Sequence, residues 1–307
     1  MQFKPEVQKI IDHLQKMEVF DSQDILDRSR KGYETMAFQL SGKKESIAIM
    51  EEINIPQNTH SIPCTIYRPS NEKKKKSSAI IYLHGGWFVS GSIETHDAVI
   101  RKLANATGSV VIFIDYRLAP EYPFPAGLED INAATEWIIN NGTALGIDEN
   151  NIGVAGDSAG GALAISLATQ LRAQLKFQIL IYPAADNTLN TPSWETYKNG
   201  PVTNKEEASR VWNWYLSSSE DKENPLAIPI LIKDFKDVPP ALVILAEHDP
   251  LLDEGVHLIN NMKEGGVIVE TLLYKDMVHG FMHMGGVLKE VQESVEEMAS
   301  FAHKHFM

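Results

Sequence analysis

From residue 78 onward the chain alternates short apolar runs with longer stretches of helical period, and that alternation predicts its architecture. The runs at 78–82, 109–115, 151–155, 177–182, 241–246 and 267–274 have the length and branched composition of buried strands. Strand alternating with helix implies the α/β class, a mostly parallel sheet with helices on both faces. Two earlier strands, 46–53 and 62–68, read as an antiparallel hairpin at one edge. Near the start, Val7, Ile10, Ile11 and Leu14 recur at helical spacing among charges. The alternation breaks between 186 and about 224, a stretch holding Trp194, Trp212 and Trp214 with Tyr197 and Tyr215. Thr203 and Glu206 have capping-box spacing there and mark a helix start. Because this stretch follows a strand, it reads either as a lid over a pocket or as a helical excursion whose aromatics are core.

One segment of this pattern carries a chemical signature. The strand at 151–155 passes through Gly156, Asp157, Ser158, Ala159 and Gly160 directly into a helical run. So tight a turn needs glycine at its flanks, and it holds the Ser158 hydroxyl out at its tip. By composition, a Gly-x-Ser-x-Gly string occurs in roughly one chain in ten of this length, so its companions decide. Asp249 follows the run 241–246, and Pro250 bars further strand pairing, which puts the carboxylate on a loop. His279 follows the run 267–274 and precedes Gly280. Serine, acid and histidine thus appear in the order such a nucleophile turn requires, each beyond the carboxyl end of a strand.

The residue types fit acyl transfer. A neutral serine hydroxyl is a poor nucleophile, so a histidine must take its proton while a carboxylate fixes the ring tautomer. Gly85 and Gly86, after the strand at 78–82, offer backbone amides for an oxyanion hole, with the Ala159 amide as a third. Asp253 competes with Asp249 on order alone; it is read as structural, opening a helix at 254–263 where a carboxylate meets free amides. His84 is read as ordering the oxyanion loop, Asp157 as structural, Asp115 to Arg117 as a loop ion pair, and His283 as a decoy.

Together with His84, Gly85 and Gly86, the segments at 95–97, 115–121, 123–126, 156–161, 249–255 and 279–281 stand in a single order. In that order they resemble the hormone-sensitive-lipase family of α/β-hydrolases, particularly its bacterial acetyl esterase and carboxylesterase members. The likeness runs from about residue 46 to the end. It implies an α/β-hydrolase fold, Ser158, Asp249 and His279 as the triad, Gly85, Gly86 and Ala159 as oxyanion donors, and no cofactor. It also implies cap helices at 1–45, joined by an insertion at about 187–224, over a catalytic domain at 46–307. Where the family usually has a third glycine, this chain has Trp87, so the loop is shaped differently or holds a bulky residue under strain. The Trp87 ring is expected beside the substrate, narrowing the acyl pocket.

Composition bounds this reading. A chain of 307 residues with 43% hydrophobic residues can build one large α/β domain and an accessory region. The formal charge of -13 disfavours nucleic acid and anionic membranes as partners. Cys64 is the only cysteine, so no internal disulfide forms, and a reducing, cytoplasmic setting is expected. The start lacks the apolar core of a signal peptide, and no 18-residue apolar span occurs. No metal is expected either, because no His or Cys pair has ligand spacing with a third ligand near it. The run at 73–76 reads as a solvated hairpin tip. The expected activity is hydrolysis of small-molecule carboxylic esters with short acyl chains, through an acyl-serine. An amidase or lactonase with the same triad, or an idle ligand receptor on the same fold, are the alternatives; a homo-oligomer is compatible with all of them.

Overall fold

The computed structural model describes residues 3–16, 24–69 and 76–306, so the lysines at 73–75 lie outside it. Two helices come first, α1 (Pro5–Lys16) and α2 (Ile25–Leu40), followed by the hairpin β1 (Ile49–Pro56) and β2 (Ser61–Arg68). Strand and helix then alternate through β3 (Ser77–Leu83), α3 (Ile93–Thr107), β4 (Val110–Ile114), α4 (Ala126–Asn140), β5 (Ile147–Asp157), α5 (Ala159–Leu171) and β6 (Gln178–Ile181). The excursion supplies α6 (Pro192–Thr196) and α7 (Lys205–Tyr215), and β7 (Ala241–His248), α8 (Leu252–Glu264), β8 (Val269–Val278) and α9 (Glu290–His305) complete the fold. Eight strands form one sheet in the order β1-β2-β4-β3-β5-β6-β7-β8. Only the pairs involving β2 are antiparallel.

Two-residue periodicity divides the core between the two faces. In β3, Ala79, Ile81 and Leu83 turn toward the side packed by Leu128 and Ile131 of α4 and Leu163 and Leu167 of α5. Ile80 and Tyr82 turn the other way, toward Val7 and Ile10 of α1, Leu103 of α3 and Val295 of α9. Each such leucine or isoleucine, removed from water, stabilises the fold by about 1.5–3 kcal/mol before entropy is counted. The α1 helix expected from Val7, Ile10 and Ile11 is therefore docked by those residues onto the sheet's helix layer.

Three sequence expectations shift. β5 starts at Ile147 and ends at Asp157, so the strand delivers Ser158 with no intervening loop. β8 continues to Val278 because a register shift after Ala246 lets His248 pair with Val278 beyond the charged Lys275 and Asp276. α7 is capped by Asn204, whose side chain accepts from the Glu207 amide at 2.9 Å, so Thr203 and Glu206 form no capping box.

Candidate active site

The turn between β5 and α5 is forced. Ser158 has φ 54° and ψ -117°, a backbone state that L-residues avoid. It persists because β5 and α5 approach the end of β3 so closely that a Cβ on Gly160 would collide with the Leu83 carbonyl. Both strand and helix hold the turn: the Ser158 amide donates to Ile181 O at 2.8 Å, and the Ser158 carbonyl accepts from Ala162.

Ser158 Oγ lies 2.9 Å from His279 Nε2, and His279 Nδ1 lies 2.8 Å from Asp249 Oδ2. A carboxylate only accepts, so Nδ1 carries the hydrogen and the bare Nε2 faces the serine hydroxyl. All three side chains are buried. The other Asp249 oxygen accepts from the Leu251 amide at 2.8 Å, which fixes the carboxylate's orientation. Asp253 accepts instead from the Ser193 amide at 2.7 Å, so it caps the start of α6 and not its own helix as expected.

The oxyanion loop departs from expectation. The Gly85 amide donates to Asp157 Oδ1 at 3.1 Å and lies 3.3 Å from His96 Nε2, so this amide is committed away from the serine. Gly85 as an oxyanion donor is corrected on that ground. Gly86 and Trp87 follow, and among the described residues their amides have no hydrogen-bond partner. Trp87 holds φ 58° and Phe88 φ 63°, so the bulky substitution is accommodated in strained backbone. Phe88 stabilises it by stacking on Tyr215 with ring centroids 3.9 Å apart. The Trp87 ring lies 6.4 Å from the His279 ring and 6.4 Å from Trp194.

Behind the loop, Asp157, read from the sequence as structural, is a hydrogen-bonding hub. Its Oδ1 accepts from Tyr82 Oη at 3.0 Å and from Gly85 N, with His96 Nε2 at 3.1 Å. Its Oδ2 lies 3.2 Å from His283 Nε2, which in turn lies 3.1 Å from Tyr33 Oη of α2. Burial pushes this carboxyl up, but the two imidazoles outweigh it and hold the group well below the usual range. His96, Asp157 and His283 do bring ligand-type atoms within 4.8 Å, a grouping their sequence spacing does not reveal. The Gly85 amide hydrogen points at two of those atoms and would oppose a cation there. His84 stacks on Tyr116 at 4.2 Å, and burial drives its pKa down to about 3, as suits a neutral ring ordering the loop. Arg117 pairs with Asp130 at 2.8 Å, so Asp115 is not its partner.

A cavity of about 430 Å³ opens over Ser158. Its floor includes Gly86, Trp87, Asp157, Tyr182 and His279, while Arg28, Ser29 and Tyr33 of α2 line it from the other side. Val202, Thr203 and Glu207, at the start of α7, complete the wall.

An elbow serine, an acid and a histidine just past the carboxyl ends of β5, β7 and β8 of a mostly parallel sheet define a serine hydrolase of α/β-hydrolase type. The chain belongs to this family: the family profile described as alpha/beta hydrolase fold matches residues 80–283, and the relatives fall in its hormone-sensitive-lipase-like branch. An ethyl acetate hydrolase of Pseudomonas putida is 32% identical over 286 residues, 91% of this chain and 90% of that one. The carboxylesterase NlhH of Mycobacterium tuberculosis is 31% identical over 297 residues, 92% of each chain. Among solved structures, a hyperthermophilic esterase from the archaeon Pyrobaculum calidifontis superposes with TM-score 0.92 at 36% identity, covering 99% of both chains.

Proposed function

We propose that the protein is a carboxylesterase of short-chain esters that works through an acyl-Ser158 intermediate. Ester hydrolysis by a serine hydrolase is what its family and relatives have in common. The observation that carries the assignment to these residues is the continuous relay from Ser158 Oγ through His279 to Asp249, with both links under 3 Å.

In this mechanism His279 Nε2 takes the Ser158 proton as the oxygen attacks the ester carbonyl, and Asp249 stabilises the imidazolium. The developing oxyanion is met by the amides of Ala159, at the orphan first turn of α5, and of Gly86 and Trp87. Their support is that they sit beside Ser158 without competing partners, whereas Gly85 is engaged by Asp157. His279 then returns the proton to the leaving alkoxide, and a water activated by the same nitrogen cleaves the acyl-enzyme. The α2 and α7 segments act as a cap over this chemistry, on the ground that both line the cavity. No helix among the described residues is long and apolar enough to cross a membrane, and a reducing, cytoplasmic setting is part of the same proposal.

Ser158→Ala should abolish turnover of p-nitrophenyl acetate while the unfolding midpoint stays near that of the wild type. Treatment with EDTA should leave the wild-type rate unchanged, since the relay needs no Lewis acid. Retention of most of the rate by the alanine variant, or its loss to chelator, would overturn the mechanism.

A further inference from the structure

The cap face of the cavity carries polar groups that ester hydrolysis itself does not use. α2 holds three cationic side chains. Arg30 is paired with Glu121 and Lys31 with Asp27. Arg28 has no hydrogen-bond or ion-pair partner among the described residues, yet it is half-buried and lines the cavity that contains Ser158. A guanidinium withdrawn from water without a counter-charge is costly unless a ligand supplies one.

The cavity's own carboxyl groups do not answer Arg28. Asp157 is occupied by Tyr82, Gly85 and two histidines. Burial pushes the Glu207 carboxyl above its usual value, only partly offset by the hydroxyl of Ser29 and the charge of Arg210.

We infer that the cavity selects esters bearing a single carboxylate at the end remote from the scissile bond, gripped by Arg28. The inference rests on the esterase reading of the same site. A carboxylate is preferred to a phosphate because one planar guanidinium matches it in shape and in charge, with two parallel N–H donors for two oxygens. The products of such a substrate would be a short carboxylic acid and a hydroxy acid.

Two acetyl esters whose alcohol parts extend over the same number of heavy atoms test this: 4-acetoxybutyrate, which ends in a carboxylate, and pentyl acetate, which ends in a methyl. Acetate release gives kcat/KM for each. The wild type should favour the charged ester by about tenfold, the scale of a charge-assisted pair that is partly screened, and the preference should shrink as salt is added. Arg28→Gln should bring the ratio to about one. Because the ratio is internal to each variant, a general loss of folded enzyme does not move it. A wild-type ratio of one or below, or an unchanged ratio in Arg28→Gln, overturns the carboxylate site while turnover of pentyl acetate leaves the esterase reading standing. If neither ester is cleaved, the esterase reading itself fails and the inference falls with it.

Discussion

At the scale of single residues, the site is organised around two carboxylates with opposite duties. Asp249 faces His279 and, in the proposed mechanism, stabilises its imidazolium; Asp157 is turned to the loop and holds the Gly85 amide. Asp249→Asn should lower the turnover number by up to about 10⁴-fold, because an amide stabilises the wrong imidazole tautomer. Asp157→Ala should act on stability, by about 3–5 kcal/mol, since Tyr82, Gly85 and two buried histidines lose their shared acceptor. Urea unfolding alongside kinetics at matched folded concentration separates the two, and a mild stability loss at Asp157 would contradict its role as the hub. Trp87 is the residue where this chain differs from its family's usual glycine. Trp87→Gly should raise the rate on octanoate relative to acetate esters, and an unchanged chain-length profile would mean that the ring does not bound the acyl group.

The geometry of the candidate site was legible in the sequence where it depends on chain order and illegible where it depends on direction. Ser158, Asp249 and His279 are spaced by whole strands and helices, so their convergence follows once the sheet is parallel. A Gly-Gly pair says nothing about where its amides point. That is set by Asp157, 72 residues beyond Gly85, and no local pattern reports it. The same limit hid the role of Tyr33, which reaches His283 across 250 residues.

At the scale of elements, the excursion between β6 and β7 is fastened to the strand end that carries Asp249. Asp253 accepts from the Ser193 amide, the Ser193 hydroxyl donates to Pro250 O at 2.6 Å, and Trp194 Nε1 donates to Glu254 Oε2 at 2.9 Å. Glu254 also accepts from the Ala185 amide, so one turn of α8 grips both ends of the segment leading to α6. The sequence showed the aromatics of this segment and the acidic start of α8, but not that the two belong together. Strand limits were read short for a related reason: β5 and β8 extend through polar positions that only pairing partners can justify. Asp253→Asn should cost about 1 kcal/mol or less, because an amide oxygen can still accept from Ser193, with turnover close to normal in the folded fraction. A turnover loss larger than that of Asp249→Asn would reverse the two assignments.

At the scale of the whole molecule, the cavity exists because α2 lies across the carboxyl edge of the sheet, and its two halves are held differently. The second half is anchored by burial of Met36, Ala37 and Leu40. The first half, which carries Arg28 and Ser29 over the cavity, has Arg30 as its principal tie: Nε donates to Val89 O at 2.7 Å, Nη2 donates to Ala119 O at 3.2 Å, and the guanidinium pairs with Glu121 at 2.7 Å. Both carbonyls belong to loops that follow the Gly85–Trp87 segment and β4, so this side chain fixes the first half of α2 to the floor of the cavity. Arg30→Ala removes all of these bonds at once. Partial exposure of the pair weakens its charge contribution, so the expected cost to global stability is modest, about 1–2 kcal/mol. The local effect should be larger in consequence: amide hydrogens at 25–32 should exchange faster than those at 36–40, and KM for short esters should rise more than kcat falls. Hydrogen exchange and steady-state kinetics on the same preparation check both. Uniform exchange along α2 with an unaltered KM would show that the apolar half alone holds α2 in place.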